Sequence, residues 1–156
     1  MSLTLRSARR EDADAVLELR RSAILSGCAG HYDSDDLAIW TEGGASEAFL
    51  ADLEREFFLV EAEGLLVGSG MINLDNGRVD AIFTHPDWTG MGVASTLMAL
   101  LESLARAQRL TRLSLDATLN AAPFYRHCGF EGETVAEYQS PKGITLACIP
   151  MEKVLD

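Results

Sequence analysis

Gly90 and Gly92 lie in the segment IFTHPDWTGMGVASTLM, where a strand-like run meets Pro86, a short loop follows and a helical pattern begins. Glycine lets the backbone approach a ligand closely, and the free N–H groups at a helix start point at an anion. On that physics the loop is a cradle for a phosphate or pyrophosphate; the plain alternative is a tight strand-to-helix turn that holds nothing. Two familiar phosphate loops do not fit. A Walker loop needs Gly-Lys-Ser/Thr, whereas Val93, Ala94 and Ser95 follow Gly92. A Rossmann fingerprint is closer, with Gly90-x-Gly92 before a helix and Asp116 ending the next strand. It fails at Ser95 where the third glycine belongs, at Pro86 in the approach and at the hairpins upstream. A second cluster, His31, Tyr32, Asp33 and Trp40, gathers aromatic and polar groups after the first helix. An aromatic and carboxylate wall suits a small cationic amine, and packing of Tyr32 and Trp40 beneath a lid is the competing explanation.

The elements that position these residues read from hydrophobic period. Thr4 to Arg6 is a short strand, and Asp12 offers an N-cap to a helix with apolar positions Ala13, Val16, Leu17, Ala23 and Ile24. The stretch SGCAGHYDSDD breaks it; short helices follow from Asp33 or Ser34 to Trp40 and from Glu47 to Leu53. FFLVEA, LLVGSGMINL and RVDAIFTH are strands, turned at Glu63-Gly64 and Asn76-Gly77. Asn-Gly is a strong hairpin signal because both residues tolerate positive φ. After Pro86, Val93 through about Gln108 repeats at helical spacing. LTRLSLDA is a strand, APFYRHCG a short helix closed by Gly129, and ETVAEY and ITLACIPM a last strand pair. Hairpins mixed with one strand–helix–strand crossover predict an α+β fold with a mixed, mostly antiparallel sheet flanked by helices.

The 156 residues predict one domain, 1–156, with no repeat or linker. No apolar run approaches the ~20 residues that span a bilayer, and the N-terminus lacks the pattern of a signal peptide, so the expected setting is cytoplasmic, away from membranes. Thirteen Lys and Arg against 24 Asp and Glu give a net charge of −11, which makes nucleic acid a poor partner. Cys28, Cys128 and Cys148 are an odd number without metal-ligand spacing, and read as buried free thiols with no metal site.

HPDWTGMGVASTLM resembles the acetyl-CoA-binding segment of the GNAT superfamily of N-acetyltransferases, V-x-P-x-x-[QR]-x-x-G-x-[GA]. Thr84, Pro86, Gly92, Val93 and Ala94 match or nearly match, and Thr89 stands where Gln or Arg is common. LDATLNAAPFYRHCGF is similar to the family's second signature at Ala121, Tyr125, Gly129 and Phe130, with Thr118 where Asn is frequent. The element order agrees from Thr4 to Lys153.

The resemblance implies a GNAT fold whose central strands splay apart, and transfer of an acetyl group from acetyl-CoA to a small-molecule or peptide amine. Backbone groups of Ile82, Phe83 and Thr84 would pair with the pantetheine arm. N–H groups of Gly90, Met91, Gly92, Val93, Ala94 and Ser95 would hold the pyrophosphate, with Thr89 and Thr118 beside them. An N–H near Phe83 would face the thioester oxygen. Tyr125 aligns with the general acid that protonates the departing thiolate. The base stays open: Asp80, placed by period-two counting on one face with Ile82 and Thr84, or Asp116, with Glu61, His85 and a water chain as further options. His31, Tyr32, Asp33 and Trp40 would wall the acceptor side. Family members are often dimers, and the last strands could pair or exchange between copies. The alternative function is an acyl-CoA-binding sensor or scaffold without catalysis, motivated by Thr89, Thr118 and the unassigned base.

Overall fold

A computed structural model describes residues 2–156. Strand β1 (Leu3–Ser7) is followed by helices α1 (Ala13–Gly27), α2 (Ser34–Trp40) and α3 (Glu47–Glu56). Strands β2 (Phe57–Ala62), β3 (Leu65–Asn73) and β4 (Arg78–Thr84) come next, then α4 (Val93–Ala107), β5 (Arg112–Ala117), α5 (Ala122–His127), β6 (Ala136–Gln139) and β7 (Thr145–Val154). The seven strands form one sheet in the order β1-β2-β3-β4-β5-β7-β6. Every neighbouring pair is antiparallel except β4 and β5, which the α4 crossover makes parallel. This is the mixed α+β sheet that the period changes predict.

Each face of the sheet has its own packed layer. Val93, Leu97, Met98 and Leu101 of α4 bury against Val60, Val67, Ile72 and Val79, and Tyr125 and Phe130 extend that core beside β5 and β7. Ala13 and Val16 of α1 and Leu53 of α3 cover Phe57 and Leu59 on the opposite face. Gly68 and Gly70 let α4 lie close to β3. A Cβ at Gly68 would stand 2.5 Å from Val93 Cγ1, and one at Gly70 would stand 2.7 Å from Leu97 Cδ2. Close backbone approach of this kind is why glycine interrupts an otherwise apolar strand.

Local chemistry differs from the sequence reading at four places. Asp12 does not cap α1 with its side chain; it ends a 3₁₀ turn, Arg10–Asp12, and its carboxylate accepts from Arg9 N at 2.8 Å and from both terminal nitrogens of Arg6. The two-residue turn with positive φ at both positions is Glu63-Gly64, at 53° and 79°, not Asn76-Gly77. At the latter only Gly77 is left-handed, and its N–H donates to Asn73 O at 2.8 Å across a longer turn. The ETVAEY strand shortens to Ala136–Gln139. The cysteines are all free, with Cys28 and Cys148 buried and Cys128 only half-buried.

Candidate active site

Strands β4 and β5 are paired at a single position, Arg78 opposite Ser114. There Ser114 N donates to Gly77 O at 3.1 Å, and the Arg78 guanidinium pairs with the Asp116 carboxylate at 2.6 Å. Beyond this point the strands diverge, so the β4 edge from Val79 to Thr84 has no partner strand toward β5. Two cavities open at the divergence. The larger, about 620 Å³, runs from the Gly90–Gly92 loop along β4 to α5. The smaller, about 270 Å³, lies toward α1, β6 and β7. Trp40, Asp80, Ala81, Phe83, Asp116 and Thr118 line both, so the two meet at the gap between the strands.

The loop leaves open space and free backbone N–H groups at the start of α4. Gly90 and Gly92 have φ of 75° and 82°, and a Cβ at either would meet nothing within 4 Å. Gly92 is the N-cap of α4, and the first helical bond runs from Thr96 N to Gly92 O at 2.9 Å. The N–H groups of Val93, Ala94 and Ser95 therefore have no intrahelical acceptor. Helices α1, α2 and α3 all carry carboxylates in the first turn, whereas α4 carries none. In a chain of net charge −11, this leaves the positive end of the α4 dipole uncompensated. Ile82, Phe83, Thr84, Thr89, Val93, Ala94, Ser95 and Thr118 line the larger cavity with the two glycines. The Met91 side chain lies outside that lining and is 49% exposed. The Thr89 hydroxyl donates to Pro86 O at 3.3 Å, which braces the loop internally. The open cradle, the acid-free helix start and the unpaired β4 edge fit a CoA thioester, which needs a diphosphate site and an extended backbone partner.

Tyr125 lies on α5, is buried against Phe124 and Phe130, and lines the larger cavity. Burial first, and the Asp80 charge second, raise its hydroxyl above the ordinary tyrosine value. At neutral pH it is a phenol with a proton to give.

Asp80 lies elsewhere than period-two counting puts it. Met71 pairs with Asp80 and Ser69 with Phe83, so two β3 steps span three β4 steps. The extra residue is Ala81, left-handed at φ 55°, and the Asp80 carboxylate accepts its N–H at 2.8 Å. This β-bulge moves Asp80 onto the face of Phe83, away from Ile82 and Thr84. Asp116 is tied to Arg78, whereas Asp80 has no cation within 4.0 Å among the described residues. Glu61 pairs with Arg6 at 2.8 Å, and His85 Nδ1 accepts from Asp87 N at 3.1 Å; neither lines either cavity.

The cluster after α1 divides. Tyr32 OH accepts from Leu119 N at 3.0 Å and donates to Ala147 O at 2.5 Å, so its hydroxyl ties the segment to the loop after β5 and to β7, and the residue lines the smaller cavity. Trp40 lines both cavities and stacks at a tilt on Tyr32, centroids 6.4 Å apart. Asp33 is the N-cap of α2, and His31 is exposed; neither lines a cavity. Among the lining residues that the sequence reading did not assign to the site are Arg20, Asn120 and Phe124. Arg20 lies three and four positions before Ala23 and Ile24, on the same helix face, and a search for apolar residues passed over it. Asn120 accepts from the Cys28 thiol at 3.3 Å and follows Thr118 by two residues.

The family model of the acetyltransferase (GNAT) domain matches residues 28–155. The structure is similar to that of a GCN5-related N-acetyltransferase from Rhodopseudomonas palustris, with a TM-score of 0.90 and 27% identity over 99% of this chain and 97% of that one. It shares its fold with the PaiA N-acetyltransferase of Thermoplasma acidophilum, solved with coenzyme A, at a TM-score of 0.76 and 18% identity over 99% and 100% of the chains. An uncharacterized N-acetyltransferase of Escherichia coli (strain K12), YafP, is 24% identical over 132 residues, 83% of this chain and 82% of that protein. No helix among the described residues is long and apolar enough to cross a membrane. With its two signatures folded around one splayed strand pair, the chain belongs to the acetyltransferase (GNAT) domain family and is an acyltransferase.

Proposed function

We propose that the protein transfers an acetyl group from acetyl-CoA to the amine of an acceptor, with both substrates bound at once. The observation that carries this reading is the junction of the two cavities at Asp80, Ala81, Phe83, Asp116 and Thr118. A donor in the larger cavity and an acceptor in the smaller one would meet there without a covalent enzyme intermediate. Acetyl-CoA supplies the activated acyl group as its thioester. The α4 N-terminus and the Gly90–Ser95 backbone hold the anionic end, and the unpaired β4 edge orients the extended arm. Tyr125 keeps its proton at neutral pH and gives it to the departing sulfur; because a thiolate already leaves well, the gain is ~10²-fold. Asp80, free of a cation, draws the acceptor's ammonium toward the gap and takes up its proton directly or through water. Asp116, already bonded to Arg78, holds the strands at the base of the gap.

Thiol release from acetyl-CoA over an amine panel, with calorimetry of acetyl-CoA binding alongside, tests the reading. Binding with amine-dependent release supports it. Binding without release from any amine makes the protein a sensor or scaffold, and absence of binding removes the cofactor assignment itself.

A further inference from the structure

Ten of the thirteen Lys and Arg side chains pair with a carboxylate within 4.0 Å; among the described residues only Arg20, Arg109 and Lys142 do not. Arg109 is exposed. The other two converge on one carbonyl, since Arg20 donates to Trp40 O at 2.9 Å and Lys142 Nζ donates to the same oxygen at 3.1 Å. Arg20 is half-buried, lies 5.9 Å from the Trp40 ring centroid, and lines the smaller cavity. A guanidinium has five N–H donors in a fixed fork, and that carbonyl is its one hydrogen-bond partner among the described residues. In a chain with 24 carboxylates, a partly desolvated guanidinium without one is costly. Burial lowers its pKa, which no carboxylate at bonding distance offsets; the charge of Asp80 is felt only from farther away.

The charges around the cavity define what would complete it. Arg20 and Arg78 line it with Asp80 and Asp116, and Arg78 and Asp116 cancel each other. What remains is a cation at the α1 wall and a carboxylate at the gap. Asp80 lines the smaller cavity with Arg20 and the larger one with Tyr125, so it stands where the two cavities meet. A multiply charged anion would be repelled by Asp80. A simple cation would leave Arg20 unpaired. A small zwitterion answers both, its ammonium toward Asp80 and its carboxylate toward Arg20. At about 270 Å³ the cavity suits a molecule of that size.

Building on the acetyl-transfer reading above, we propose that Arg20 is the carboxylate anchor of the acceptor site, and that the acceptor is an amino-acid-like molecule carrying both an amine and a carboxylate. The planar fork of arginine takes a carboxylate through two parallel bonds, which fixes the direction of the amine as well as its identity.

The test uses free L-amino acids and their C-terminal amides as matched acceptors, read by thiol release from acetyl-CoA. The expected result is at least one amino acid whose kcat/KM exceeds that of its amide tenfold or more. Arg20→Gln should collapse that ratio toward one, chiefly through KM for the amino acid, and Arg20→Lys should restore part of it. Thermal unfolding of both variants separates loss of the anchor from loss of the fold. Should Arg20→Gln fail to fold, Arg20→Lys and the wild-type ratio decide alone. Amides used as well as amino acids, or a ratio that survives Arg20→Gln, overturns the anchor while leaving acetyl transfer standing. Absence of release with every amine overturns the acetyl-transfer reading, and the anchor with it.

Discussion

The Arg78 guanidinium on β4 bonds the Asp116 carboxylate on β5 at 2.6 Å, beside the only position at which the two strands pair. The bond closes the base of the splay and occupies one of the two carboxylates at the gap. Asp80, the other, is free. Asp80→Asn should therefore lower kcat/KM about 10²-fold, at the low end of the range for proton-transfer groups, while Asp116→Asn should cost less turnover and more stability. Steady-state kinetics beside urea unfolding check the ordering, and the reverse order would return the base to Asp116.

Gly92 begins α4 at φ 82° with open space where a side chain would start. Gly92→Val should weaken acetyl-CoA binding at least tenfold, ~1.4 kcal/mol, because the branch would fill the cradle. Part of the cost falls on the fold, since a left-handed β-branched residue is strained by ~1–2 kcal/mol. Calorimetry on the folded variant isolates the binding effect; unchanged affinity there would sink the cradle assignment.

Tyr125→Phe removes a buried hydroxyl and leaves the ring packed on Phe124 and Phe130. We expect kcat to fall roughly 10- to 100-fold with acetyl-CoA affinity nearly constant, as for a group that acts in the transition state. Wild-type turnover would make Tyr125 a packing residue.

Asp12 and Arg6 form a two-point ion pair with the carboxylate 14% exposed and the guanidinium 28% exposed. The Arg6 hydrogen bonds, ahead of the opposing desolvation, hold the Asp12 pKa below 3.8. A carboxylate with a depressed folded pKa adds stability that is present above its ordinary value and fades as pH falls through the folded one. Asp12→Asn should cost about 1–2 kcal/mol at pH 7, and the gap to wild type should narrow as pH drops below 3.8. Urea unfolding of both proteins across that range measures it; a gap that does not change with pH would assign the loss to packing.

The sequence by itself determined the order of elements, because the hydrophobic period changes between 3.6 and 2 where helices meet strands and turn residues mark the remaining boundaries. The Gly90–Ser95 loop at the start of α4 and the place of Tyr125 on a short helix were also legible, because both rest on local spacing along a loop and one helix. The tertiary structure decided the rest. The bulge at Ala81 follows from pairing β4 against β3, and an extra residue is invisible to alternation counted along one strand. It alone sets the face on which Asp80 stands. The Tyr32 hydroxyl goes to Leu119 and Ala147, residues that folding brings from 87 and 115 positions away. Arg20 carried no signal as a charge on an amphipathic helix. It became informative only when the fold placed every other candidate carboxylate out of its reach, since a missing partner is a property of three-dimensional neighbours and not of spacing.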